Sequence, residues 1–323
     1  MQLLAENLIS PVVLCFALGI VSRLLRGDLT VPEPVRQGLS MYLLLAIGLK
    51  GGAALSVTPV QQIVMPGIAT LIAGVVTPIT AFALMRWLGR MERRDAAAVA
   101  AHYGSVSVVT FIAAAEAARR ASLEPEAFLP ALVAILEVPG IVVALLFAGN
   151  ATRNGGRGGW RKALHEVLSG KSIVLLVGGL LIGLLCGPAG LADVDPFFVG
   201  AFKGVLCLFM IDLGLSAGAR LKDARLLGWR LPVLGCLVPV LHGLPAVALA
   251  MAVGISPGGA AVFGAMVASA SYIAAPAAVR VALPSANPGY YLTLSLGITF
   301  PFNLALGIPL YLKFAMLLSS PIP

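Results

Sequence analysis

The chain has 323 residues, of which 59% are hydrophobic and 11% charged, with a mean hydropathy of +0.98. A soluble globular domain of that length does not carry such a balance, so the chain is read as a membrane protein. Its net charge of +8 and pI of about 9.6 do not point to nucleic acid, because the basic residues fall in short connections between apolar stretches and form no continuous face.

Ten stretches are long enough to cross a bilayer at about 20 apolar residues per crossing. They are Asn7–Leu25, Ser40–Val57, Ile63–Trp87, Ala96–Ala115, Phe128–Gly149, Ser172–Gly187, Val199–Gly218, Leu231–Gly254, Gly258–Leu283 and Tyr291–Leu318. Glu6 precedes the first, without a basic leader, so it reads as a retained helix. Arg23, Arg26 and Arg36 follow span one, Arg86 to Arg94 follow span three, Arg153 to Lys171 follow span five, and Arg220 to Arg230 follow span seven. Positive connections stay in the cytoplasm, so both termini are expected outside; only Arg119 and Arg120 dissent.

The fold class is therefore an all-α membrane protein of ten transmembrane helices. Residues 1–150 form a first five-span repeat, 151–170 a cytoplasmic linker and 171–323 a second repeat. An odd number of spans per half makes the second copy enter the membrane in the opposite sense, which is an inverted repeat. The Gly-rich Asn150–Gly159 is composed as a linker, and Trp160–Leu168 suits either a short amphipathic helix or a lead-in to span six. Asn150-Ala-Thr152 matches a glycosylation acceptor but lies in an expected cytoplasmic loop.

Two polar clusters interrupt the apolar spans at matching places: Tyr103-Gly104-Ser105-Val106-Ser107 in span four and Ser269-Ala270-Ser271-Tyr272 in span nine. Ser105 and Ser271 are offset by 166, and the same offset lays Gly48 on Gly214, Gly52 on Gly218 and Glu137 on Asn303. Gly104 and Pro276 weaken their helices, so helices four and nine are expected to break and cross at mid-membrane. A broken helix presents a free N-terminus with unpaired amides and a positive dipole end, and two of them would hold one small anion. Gly104, Ser105, Val106, Ser107, Ser269, Ala270, Ser271 and Tyr272 are the expected anion-binding residues, with the serine hydroxyls as donors. Tyr103 and Tyr272 would wall the cavity.

Glu137 and Asn303 are hard oxygen ligands at pseudo-symmetric positions. They suit a sodium ion completed by Thr110 and Thr299, or alternatively they cap or bridge the broken helix ends. Lys50 and Asp212 are expected to pair between two scaffold helices, and His102 and His242 read as hydrogen-bonded core residues. Arg280 can snorkel to headgroups. Cys15, Cys186, Cys207 and Cys236 show no metal spacing and are expected to be buried packing residues. No organic cofactor is expected; sodium would act as the coupling ion.

The stretches YLLLAIGLKGG (42–52), AAHYGSVS (100–107), MIDLG (210–214), ASASYIAAP (268–276) and ITFPFN (298–303) resemble the sodium-dependent bicarbonate transporters first recognised in cyanobacteria. The resemblance runs from about residue 8 to 315. It implies a ten-span inverted-repeat fold similar to the bile-acid sodium symporters and sodium/proton antiporters, a homotrimer, and sodium-driven bicarbonate uptake by an elevator-like motion. The cyanobacterial members carry a longer central segment and are inhibited by a small PII-like regulator. Here that segment is only Asn150–Lys171, which counts against such a partner.

Alternatives are a sodium-coupled carrier of another small anion or a monocarboxylate, and a sodium/proton exchanger. An exchanger needs a carboxylate at the crossing, and none lies beside Ser105 or Ser271 in the chain. An intramembrane serine hydrolase is disfavoured, because Gly104-Ser-Val-Ser107 does not make the Gly-x-Ser-x-Gly elbow.

Overall fold

A computed structural model describes residues 8–147, 165, 168–224 and 227–319. Among them every regular element is a helix. In chain order these are α1 (Pro11–Leu24), α2 (Glu33–Val57), α3 (Val60–Leu88), α4 (Arg93–Tyr103), α5 (Val108–Arg120), α6 (Leu129–Leu136) and α7 (Pro139–Phe147). The second half supplies α8 (Lys171–Asp193), α9 (Phe202–Ala224), α10 (Arg230–Ala252), α11 (Pro257–Val267), α12 (Ala275–Ala282) and α13 (Pro288–Ser319). The linker Asn150–Gly159, its Asn150-Ala-Thr152 triplet and most of Trp160–Leu168 lie outside the described residues.

Among the described residues, seven helical runs are long and apolar enough to cross a membrane: α2, α3, the run Arg93–Arg120, α8, Phe202–Leu221 of α9, α10 and α13. Three further apolar helices, α1, Leu129–Ala144 and α11, are shorter. Local chemistry sets several of the ends. Ser10 caps α1 by accepting Val13 N at 3.3 Å, and Pro11 occupies the first turn, where its missing N–H costs nothing. Ser256 caps α11 in the same way, accepting Gly259 N at 3.2 Å ahead of Pro257.

Burial separates an inner group of helices from an outer one. The most apolar stretch of Arg93–Arg120 is 100% buried, whereas that of α8 is 22% buried. Along α8, Val174, Leu181 and Leu185 face outward, and along α3 Val64, Ile68, Leu71 and Val75 do the same. In a chain of this hydropathy such stripes meet lipid. Cys186 belongs to one of them: it is exposed, and the expectation of burial holds only partly for Cys15, Cys207 and Cys236, which are half-buried. An apolar residue in a bilayer has two places to go, and the hydropathy pattern does not separate them.

α1 packs on α9 and α2 on α8, in both cases through glycine. A β-carbon on Gly52 would fall 2.1 Å from the Leu180 carbonyl, and one on Gly183 2.2 Å from that of Leu49. In the other pair, a β-carbon on Gly19 would fall 2.2 Å from the Ile211 carbonyl and one on Gly214 2.1 Å from that of Phe16. Small residues let helix backbones approach closely where no hydrophobic effect drives them together. Gly52→Ala is therefore expected to cost about 1–3 kcal/mol of overpacking. It should lower the midpoint of thermal unfolding in detergent, whereas Gly178→Ala, with no atom within 4 Å of its new methyl, should not.

Candidate functional site

Helix α4 ends at Tyr103, and its last turn closes with Gly104 N donating to Ala100 O at 2.8 Å. Ser105 to Ser107 leave the helix, and α5 begins at Val108 under an N-cap in which Ser107 Oγ accepts Thr110 N at 3.2 Å. The second break has the same form. α11 ends at Val267, residues 269–274 are irregular, and Ala275 N at the start of α12 donates to Ser271 Oγ at 3.3 Å.

The two breaks touch. Ser107 N donates to Ser269 Oγ at 2.7 Å, and Ser271 N donates to His102 O at 2.8 Å. Ser105, Ser107, Ser269 and Ser271 are each at most 4% exposed, and Val106 and Ala270 are buried with them. Both expected clusters thus meet at one place inside the protein. Their hydroxyls are less free than the sequence suggests, because backbone left unpaired by a break needs internal partners. Ser269 Oγ donates to Met266 O at 2.7 Å and Ser105 Oγ donates to Glu137 Oε2 at 2.7 Å. Ser271 Oγ only accepts, so its proton is free among the described residues. Tyr272 Oη is buried beside Ser107 with no partner in hydrogen-bond geometry.

Glu137 reaches the first break because span five is itself interrupted. α6 ends at Leu136 and α7 starts at Pro139, leaving Glu137 at the turn between them. Gly140 lies so close to Gly104 that a β-carbon on it would fall 1.7 Å from the Gly104 carbonyl oxygen. The Pro139-Gly140 pair signals this turn in the sequence; what the sequence does not display is its contact with Gly104. A carboxylate therefore sits at the crossing after all, and the ground on which proton exchange is disfavoured from the sequence falls away.

Asn303 serves the second break. It lies in a π-helical turn of α13, and its Nδ2 donates to Ala268 O at 3.0 Å, at the end of α11. Tyr311 Oη donates to Asn303 Oδ1 at 3.2 Å. Glu137 and Asn303 thus each bridge one broken end, one of the two roles open from the sequence. Thr299 Oγ1 donates to Gly235 O at 2.7 Å and takes the Tyr103 hydroxyl at 2.5 Å, so Tyr103 braces α4 against α13. Thr110 is buried in the first turn of α5. Ser107→Ala removes the α5 cap, for which about 1 kcal/mol is expected; a lower unfolding midpoint than wild type checks it.

The histidines are core residues as expected. His102 Nδ1 lies 2.7 Å from Ala98 O with its ring stacked on Tyr291, and His242 Nε2 lies 2.7 Å from Thr80 Oγ1.

Lys50 and Asp212 do not pair. The Lys50 ammonium lies 3.9 Å above the centroid of the Phe202 ring, and Phe202 and Asp212 are ten residues, or about 15 Å, apart along α9. The two charges line different cavities. One, of about 500 Å³, is bounded by Ile47, Lys50, Glu116, Arg119, Phe202 and Lys203 among others. The second, of about 470 Å³, is bounded by Arg36, Ser40, Lys171, Asp212, Tyr272 and Arg280 among others. Glu33 of the second and Lys50 of the first lie 17 residues, or about 25 Å, apart on α2, so the cavities open toward opposite ends of that helix.

The cavities are also mates under the 166-residue offset. Glu33, Arg36, Gln37, Ser40, Leu213, Ser216, Ala277 and Leu296 line the second, and Val199, Phe202, Lys203, Leu206, Ile47, Lys50, Phe111 and Pro130 line the first at the equivalent positions.

Compared with known families, residues 11–316 match the model of the Na+-dependent bicarbonate transporter superfamily. The chain belongs to that superfamily. It is a transporter and not an enzyme. A comparison with curated proteins gives no match. In the transporter, neither polar cluster contains an Arg or Lys, and among the described residues no cation pairs with Glu137. Arg36, Lys171 and Arg280 instead line the second cavity, where Arg280 is exposed. The ion pair between Glu116 and Lys203, at 2.8 Å, joins α5 to α9 and has no sequence signal, because its members are 87 residues apart.

Proposed function

We propose that this transporter carries bicarbonate inward by sodium-driven symport, with the anion held where the two broken segments meet. The observation that carries this reading is the contact of Ser107 with Ser269 and of Ser271 with His102, which closes one small polar site between otherwise apolar helices. Gly104, Ser105, Val106, Ser107, Ser269, Ala270, Ser271 and Tyr272 form its walls, with the Ser271 and Tyr272 hydroxyls and the α5 amides as donors. In this reading the sodium ion binds at Glu137, with Thr110, Thr299 and Asn303 supplying further oxygens. An ionised residue at mid-bilayer costs roughly 2.5–3.5 kcal/mol unless paired, and among the described residues no cation pairs with Glu137, which favours a solute cation there. Neither cluster offers the anion an Arg or Lys of its own, so each ion raises the affinity for the other by one coupling free energy.

The two repeat-related cavities support alternating access through a ten-span inverted repeat, in which equivalent walls open in turn on opposite sides. Spans three to five and eight to ten would move past a scaffold of spans one, two, six and seven, the glycine-packed helices α1, α2, α8 and α9. We place the protein as a homotrimer in a bacterial inner membrane with both termini periplasmic, on the strength of the resemblance and of its positive connections. A PII-like regulator is not part of this reading.

The test is uptake of labelled bicarbonate into proteoliposomes with and without an inward sodium gradient, in competition with nitrate, bisulfite and formate. Gradient-dependent uptake that bicarbonate competes best is expected, reduced in Ser105→Ala and Ser271→Ala. Unchanged uptake and sodium dependence in both variants would remove the site assignment. The Ser105–Glu137 hydrogen bond favours one second reading, sodium/proton exchange; there a sodium gradient would alkalinise the lumen without added bicarbonate.

A further inference from the structure

We infer that the cavity between α2, α5 and α9 is a separate binding site for a small monocarboxylate that bears an apolar group. Each cation of its wall other than Lys50 is held by a carboxylate. Glu116 holds Lys203 at 2.8 Å and Arg120 at 3.8 Å; Arg119 holds Glu124 at 3.1 Å. Glu126 accepts Ser256 N at 2.5 Å through Oε1, while its Oε2, buried against Gly259, has no hydrogen-bond partner among the described residues. Asp195 is exposed. Lys50 is left: among the described residues it makes no ion pair or hydrogen bond, and its ammonium rests on the Phe202 ring at 3.9 Å.

An ammonium has three donors, and on an aromatic face inside a partly enclosed cavity none of them is satisfied by protein. The surrounding wall is apolar: Ile47, Phe111, Ile112, Leu129, Phe202 and Leu206. A volume of about 500 Å³ lies within the roughly 300–1,000 Å³ of sites that hold organic ligands, in which a few polar groups orient a mostly apolar molecule. Bicarbonate has no apolar surface to place against Phe111 and Phe202. A carboxylate on Lys50 with an aromatic or branched group among those side chains satisfies both parts of the cavity. The site differs from its repeat mate, which has Ser216 where this one has Lys50 and Ala277 where it has Phe111.

The inference is independent of the sodium–bicarbonate reading, and loss of bicarbonate uptake would leave it standing. The experiment is calorimetric titration of purified full-length protein with phenylacetate, with phenylacetamide, acetate and bicarbonate as comparisons. In sodium-free buffer, where the crossing lacks its coupling ion, phenylacetate is expected to bind, and acetate, phenylacetamide and bicarbonate at least about ten-fold more weakly, since a charge-assisted hydrogen bond and an apolar contact are each removed in turn. Lys50→Met, which keeps the aliphatic stem, should weaken phenylacetate about ten-fold or more, and Ser271→Ala should leave it within about two-fold, because Ser271 is not among the lining residues. Ala115→Phe fills the cavity while keeping the charge and should weaken binding similarly, which tests the site even if Lys50→Met does not fold. No heat with phenylacetate, equal binding of phenylacetamide, undiminished binding in Lys50→Met or Ala115→Phe, or a loss in Ser271→Ala overturns it.

Discussion

Glu137→Gln is expected to raise the sodium concentration for half-maximal bicarbonate uptake by about ten-fold or more, with the protein still folded. Gln keeps the shape of the side chain and an oxygen that can accept the Ser105 hydroxyl, now bonded at 2.7 Å, so the bridge between the α6–α7 turn and the first break survives. Only the charge is lost. A ten-fold change in half-saturation corresponds to about 1.4 kcal/mol, a modest share of what a buried carboxylate contributes to a cation in low dielectric. Bicarbonate affinity at fixed sodium should fall as well, because the anion depends on the same bound cation. The readout is initial uptake into proteoliposomes against sodium; an unaltered sodium curve would take Glu137 out of the ion site and leave it as a bridge alone.

Among the described glycines, Gly140→Ala should be the most damaging added methyl. The new β-carbon would lie 1.7 Å from the Gly104 carbonyl oxygen and 2.1 Å from its carbon, and the obstacle is backbone that no rotamer change can move. Overpacking of a tight core costs about 1–3 kcal/mol when side chains can give. Here α7 must back away from the first break, which also withdraws Glu137 from Ser105. A drop of at least about 3 kcal/mol in stability, seen as a lower unfolding midpoint in detergent, and loss of uptake are expected together. Gly204→Ala is the control: no atom lies within 4 Å of its methyl, and in a helix Ala is favoured over Gly by up to about 1 kcal/mol. Equal stability of the two variants would mean that α7 and α4 do not meet as described.

The breaks were legible because their cause is local. Gly104 with its flanking serines and Pro276 in a run of alanines each weaken a helix within a few residues, and the repeat offset matched one to the other. The offset also paired Glu137 with Asn303, but whether they bind sodium or bridge the broken ends stayed open, and the approach of Glu137 to Ser105 was not read from it. What was not legible depended on depth and facing. The expected pairing of Lys50 with Asp212 failed because span edges uncertain by a few residues translate into a turn or two of helix, about 5.4 Å each, enough to put the two charges in different cavities. Cys186 failed for a related reason: apolar character does not tell a lipid-facing residue from a buried one. The cavities themselves are built from residues of four or five elements and leave no mark in any one stretch.

The most direct measurement is of reciprocity between the two solutes on purified protein: bicarbonate affinity with and without saturating sodium, and sodium affinity with and without saturating bicarbonate. An anion site without a cationic side chain, completed by sodium at Glu137, predicts that each solute tightens the other by the same factor and that Glu137→Gln reduces this factor toward one. Bicarbonate binding of equal strength with and without sodium, or a factor that Glu137→Gln leaves intact, would contradict it.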